Sequence, residues 1–179
     1  MLMTLVCALS TSAQKKITAP KPASDSVAVA SAHWKVIKVS PGIKLKHCSL
    51  DSALFGSNQN INILEVKLNG KNRVDLGEEP QKLKGTSEFA AEGHAIAAIN
   101  GTFFDMRHGG SEDYIRSDGK VINQTRVKTG GHRSFHQQAA IVIDHKKIKI
   151  VRWDSTADWE EHLVGEDVMV SGPLLIHDG

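Results

Sequence analysis

Ala97-Ala98-Ile99-Asn100-Gly101-Thr102-Phe103-Phe104-Asp105 is the stretch on which the fold turns. The apolar run from His94 to Ile99 stops abruptly at Asn-Gly, and two aromatics and a carboxylate follow at once. A polar, glycine-bearing stretch, Met106 to Asp113, comes next. That order predicts a core strand, buried on both faces, that delivers a shaped loop, a common way for a scaffold to present chemistry.

The neighbouring segments are mostly strand-like. Upstream, Trp34 to Val39 and Ile43 to Cys48 alternate apolar and polar residues about the turn Ser40-Pro41-Gly42, the pattern of an antiparallel hairpin. Asn60 to Leu68 alternates again and ends at Asn69-Gly70, a strong turn signal. Gly85 to Gly93 predicts a short helix, capped by Thr86 or Ser87 and ended by Gly93. Downstream, Tyr114–Arg116 and Lys120–Ile122 flank Ser117-Asp118-Gly119, and Gln138–Ile143 and Lys147–Trp153 flank Asp144-His145, giving two more hairpins. Thr156 to Leu163 reads as a helix with Thr156 as its cap. Asp167 to Ile176 reads as a last apolar strand broken at Ser171-Gly172-Pro173. The sum is an α+β fold: a mixed, largely antiparallel β-sheet with a few short helices.

Composition bounds the function. The chain has 179 residues, 40% hydrophobic and 23% charged, with a formal net charge of +2, the profile of one globular domain. Its lysines are scattered among apolar residues, which gives nucleic-acid binding no support. Residues 1–13 are apolar, uncharged and end in small residues, the shape of a secretory signal peptide, and are too short to span a bilayer. Residues 14–31, rich in Lys, Pro, Ala and Ser, read as a linker or disordered lead-in, leaving 32–179 as the folded domain. After cleavage Cys48 would be the one cysteine left, a small strand residue with no disulfide partner. Export without a disulfide points to a secreted or periplasmic envelope protein of bacterial type.

Four segments, taken in order, resemble the phosphodiester glycosidase family, enzymes that remove a sugar such as N-acetylglucosamine from a phosphodiester. They are the helix followed by Ala-Ile-Ala-Ala-Ile-Asn-Gly-Thr-Phe-Phe-Asp, the Ser117–Ile122 hairpin, Gln138–Asp144 with its partner strand, and Val170-Ser171-Gly172-Pro173-Leu174-Leu175-Ile176. They cover residues from about 85 to 179. Thr102 stands where a second glycine is usual in the family, and the later Arg-Thr-Ala and Asn-Leu-Asp-Gly-Gly-Gly-Ser motifs do not occur. The resemblance implies a domain incomplete at its C-terminal side. It also implies a hydrolase acting on a sugar-1-phosphodiester; the alternative is a non-catalytic glycan-binding or envelope protein on the same scaffold.

Glycosidases commonly use two carboxylates roughly 5–10 Å apart, and a phosphodiester also needs cationic or N–H donors. Asp105, nearest the strand end, is the candidate catalytic carboxylate, and a turn-capping role is its competing reading. Asn100, Gly101, Phe104, Arg107, His136, Ser171 and Gly172 are the candidate substrate-binding residues. Phe103 and Phe104 would form a sugar-stacking wall, with at least one of them expected to fill the core. Arg107 and Arg116 would clamp phosphate or lie solvated on the surface. His132 and His136 stand four apart, but Gly130-Gly131 argues against the helix that would align them. No cofactor and no metal site is therefore expected, with a divalent metal left open. The expected partner is a carbohydrate or sugar phosphodiester.

Overall fold

The Ser40-Pro41-Gly42 turn joins β1 (Lys35–Ser40) to β2 (Ile43–Leu54), and Phe55-Gly56 turns β2 into β3 (Ser57–Val66). The computed structural model describes residues 24–68, 71–126, 132–144 and 147–177. The expected signal segment at 1–13, the turn at 69–70 and His145 lie outside the described residues. The three strands pair in the order β1-β2-β3 in an antiparallel sheet. Part of the expected linker is instead a helix, α1 (Asp25–Ala30). The Ser24 hydroxyl accepts the Val27 N–H at 3.3 Å, and Asp25 sits in the first turn, so local capping suffices to start it.

The described chain divides into two compact units, residues up to Ile37 with Leu45–Ile63, and Lys38–Lys44 with Leu64 onward. In the first, Cys48, Leu50 and Leu54 form a core with Val29, Ala32, Trp34 and Ile61 packed against it. Cys48 is buried there, a packing thiol.

The second unit holds a five-stranded antiparallel sheet of β4 (Ile115–Ser117), β5 (Lys120–Asn123), β6 (Ala139–Asp144), β7 (Lys147–Arg152) and β8 (Asp167–Ser171), in the order β5-β4-β8-β6-β7. Both downstream hairpins form as the sequence predicts, with Ser117 opposite Lys120 and Asp144 opposite Lys147. β8, the last strand, takes the central place: Ile115 pairs with Met169 on one side and Ile141 with Met169 on the other. Val168 and Val170 are fully buried and pack with Tyr114, Ala140, Val142 and Trp159. The architecture is α+β, two antiparallel sheets with few short helices.

The His94–Ile99 stretch is not a strand. Helix α2 (Thr86–Glu92) closes at Gly93 as expected, and the Ala95 N–H still bonds back to the Ala90 carbonyl at 2.8 Å. His94 then turns at φ 49°, and the chain runs on without a ladder, leaving Ile99 83% exposed. Both edges of β8 are already paired, to β4 and β6, so the central slot that an apolar run would claim is occupied.

Three smaller elements also differ from the expectation. The cap of α2 is Gly85, whose N–H the Glu88 carboxylate accepts at 2.7 Å, not Thr86 or Ser87. Thr156 turns onto Asp154, and the helix expected over 156–163 is a single 3-10 turn, Trp159–His162. After Ser171 the chain leaves the sheet, and Leu175 and Ile176 are exposed. Among the described residues no helix is long and apolar enough to cross a membrane.

Candidate functional site

Residues 103–112 fold into a tight loop. Phe104 bridges Ser111, the Asp105 N–H bonds the Gly110 carbonyl at 3.0 Å, and the Glu112 N–H bonds the Phe103 carbonyl at 3.1 Å. Asp105 is the loop's internal clasp. Its Oδ1 accepts the N–H groups of Arg107 at 2.7 Å and His108 at 3.1 Å, and its Oδ2 pairs with His108 Nδ1 at 3.0 Å and faces Arg126 at 3.6 Å. The His108 contact, followed by the two backbone N–H groups, holds its carboxyl well below the ordinary value of 3.8. A carboxylate so engaged is a poor proton donor, and Asp105 does not line the cleft described below. The turn-capping role is the one the geometry favours.

The depressed pKa has a consequence for stability. A carboxyl with a lowered folded pKa stabilises the fold above its unfolded value and loses that contribution as pH falls below it. Asp105→Asn is therefore expected to lower the melting temperature at pH 7 and to flatten the stability curve below pH 4. Thermal melts across that range check it; a variant that melts like the parent at pH 7 would remove Asp105 from the loop's support.

The cleft itself has a volume of about 380 Å³ and is lined by Asn100 to Phe104, Met106, Ser171 and Gly172. It therefore gathers Asn100, Gly101, Phe104, Ser171 and Gly172 from the predicted set. The Ser171 hydroxyl reaches the Gly101 carbonyl at 3.4 Å, and the Thr102 hydroxyl donates to the Val170 carbonyl at 3.0 Å, fastening the two walls together. Thr102 thus has a structural task. Phe103 and Phe104 are both exposed in the cleft, and neither fills the core as expected. Arg107 is exposed on the loop outside the lining. Arg116 is committed elsewhere: its guanidinium bonds the carbonyls of Leu163 and Gly165, so it does not clamp a phosphate.

His136 lies on the 3-10 turn Phe135–Gln137. Its ring packs 4.5 Å from the Phe103 ring and 5.3 Å from that of Phe135. Its Nδ1 is 2.8 Å from Oδ2 of Asp113, a fully buried carboxylate, while the imidazole side chain keeps 13% exposure. Gln137 Nε2 donates to the other Asp113 oxygen at 2.8 Å. Asp113 is fixed from behind: its N–H bonds the Ser111 hydroxyl at 3.0 Å, and its carbonyl accepts from Ser111 and Asn123. Asp113 is one of the carboxylates that the loop offers in the sequence, ranked there behind Asp105. Its signal was weak, a carboxylate at the end of the loop just before strand β4, with its partner 23 residues away.

Among the described residues no group of three or more His, Cys, Asp or Glu side chains gathers as metal ligands would. Comparison of the chain with protein-family models, curated proteins and solved structures finds no match. Function is therefore read from the chemistry of the site.

Proposed function

We propose that this protein is an exported hydrolase of the phosphodiester glycosidase type, cleaving a sugar-1-phosphodiester in the cleft between Asn100–Met106 and Ser171–Gly172. The observation that carries this reading is the meeting of two distant motifs. Two of the four segments that carry the family resemblance, through Asn100–Phe104 and Ser171-Gly172, line one cleft although Gly101 and Ser171 are 70 residues apart. The cleft falls in the usual size range for a small ligand and has the usual make-up, aromatic surface with a few polar groups. Phe103 and Phe104 offer apolar ring surface to the C–H face of a sugar, and Asn100 and Ser171 offer hydrogen bonds to its hydroxyls.

A second reading, glycan binding without turnover, is favoured by one observation: none of the lining residues is a carboxylate. Incubation of the protein with a panel of sugar-1-phosphodiesters separates the two. Release of free sugar and a phosphate monoester is the expected result. Saturable binding of the same compounds by calorimetry, with no sugar released, would replace the hydrolase with the binding protein.

A further inference from the structure

We infer that His136, oriented by the buried carboxylate of Asp113, is the proton-accepting catalytic residue of the cleft; the inference rests on the hydrolase reading above. The hydrogen-bond pattern fixes the chemistry of the pair. Gln137 Oε1 accepts the Ser134 N–H at 3.0 Å, which sets the orientation of its amide and makes Nε2 the donor to Asp113 Oδ1. Asp113 Oδ1 is therefore an acceptor, and with Asp113 as a carboxylate His136 Nδ1 is the donor to Oδ2. In neutral imidazole the proton then sits on Nδ1, and Nε2 carries the free lone pair. No described residue bonds to Nε2.

The location fits the task. His136 is not among the residues that line the cleft, but its ring packs on Phe103, and its Cα stands 2.9 Å from where a Cβ at Gly172 would lie; both of those residues line the cleft. Among the described residues Asp113 touches the imidazole directly, the Arg133 guanidinium donates to the Gln137 carbonyl at 3.4 Å, and Gln137 Nε2 donates to the backbone carbonyl of Arg126 at 3.3 Å.

A phosphodiester substrate also explains how one such group suffices. The departing phosphate monoester is a stable anion, with a second pKa of about 6, so its release needs little help from an acid. The demanding part is activation of water. Nε2 takes one proton from a water molecule as the water oxygen forms a bond to the anomeric carbon. The anomeric C–O bond breaks with its electron pair passing to the phosphate oxygen. The products are the free sugar, the phosphate monoester and an imidazolium stabilised by Asp113, which then returns its proton to solvent. No paired carboxylate is required, in keeping with the lining of the cleft.

The test combines turnover with a spectroscopic reading of the pair. With a substrate that the wild type cleaves, His136→Gln is expected to lower kcat by about 10²–10⁴-fold with KM little changed. The decline of wild-type kcat on the acid side should be missing from the residual activity. Asp113→Asn, an isosteric change at the positioning residue, should lower kcat and abolish a slowly exchanging Nδ1–H resonance of His136 in the nitrogen-15 NMR spectrum. His136→Gln within threefold of wild-type kcat overturns the inference and leaves the hydrolase reading standing. A wild type that cleaves nothing in the panel overturns both. Where either variant fails to fold, by circular dichroism, the wild-type spectrum decides. The protected Nδ1–H resonance supports the pairing, and an imidazole averaging between its two tautomers overturns it.

Discussion

Glu160→Gln is expected to destabilise the protein by about 3–5 kcal/mol, the usual result of removing one partner from a buried ion pair. The side chains of Glu160 and Arg133 are 3% and 7% exposed and pair directly. The Thr125 hydroxyl donates to Glu160 Oε1 at 2.5 Å, and the Arg133 guanidinium lies 5.2 Å and 5.9 Å from the rings of Trp153 and Trp159. Burial alone would push the Glu160 carboxyl up, but the Arg133 and Thr125 hydrogen bonds outweigh it and hold the group below its ordinary 4.5. A folded pKa below the unfolded one means that the carboxylate stabilises the fold fully above pH 4.5 and progressively less as pH falls. The loss caused by Glu160→Gln should therefore be large in urea unfolding at pH 7 and smaller at pH 4. Replacing both partners, Arg133→Met with Glu160→Leu, should cost less than either single change, because no charge is left stranded. A loss at pH 7 under about 1 kcal/mol would mean that water reaches the pair and would remove it from the core.

Short hairpins were legible in the sequence because their determinants are local. Asp118-Gly119 and the alternation on either side suffice to specify β4 and β5, and the same holds for β1 with β2 and β6 with β7. The two segments misread as strand, 94–99 and 174–176, are both strongly apolar, and each lacks a pairing partner among the described residues. Apolar character states a preference for burial, but the slots of a sheet are assigned by competition among all strands. Here β8 won the central one through Val168 and Val170.

The candidate site divides along the same line. Asn100, Gly101, Phe104, Ser171 and Gly172 were legible because a turn or a break in a strand places residues at an edge, where clefts form. For Asp105 the sequence leaves catalysis and turn capping both open, because nearness to the end of an apolar run does not reveal how many local N–H groups a carboxylate will accept. The Asp113–His136 pair depends on the loop 103–112 and the turn 135–137 arriving together, and nothing in either segment alone announces the other.

That dependence makes Gly172→Ala a direct test of how the strand end and the turn hold the site. A Cβ at Gly172 would lie 2.7 Å from the Phe135 carbonyl oxygen and 2.9 Å from His136 Cα. These are backbone atoms, so no side-chain rotation relieves the overlap; the end of β8 and the 135–137 turn must separate. Such overpacking costs about 1–3 kcal/mol. The displacement bears directly on the imidazole, and a misplacement near 1 Å lowers turnover by about 10²-fold. Gly119→Ala supplies the contrast. Gly119 has φ +73° and open space around it, so alanine there meets backbone strain of about 1–2 kcal/mol but no clash, in a hairpin turn that contributes nothing to the cleft lining. Both variants should melt earlier than the parent, while only Gly172→Ala should lose turnover and the Nδ1–H resonance of His136. If Gly172→Ala retained both, the contact between the strand end and the turn would have no part in holding the site.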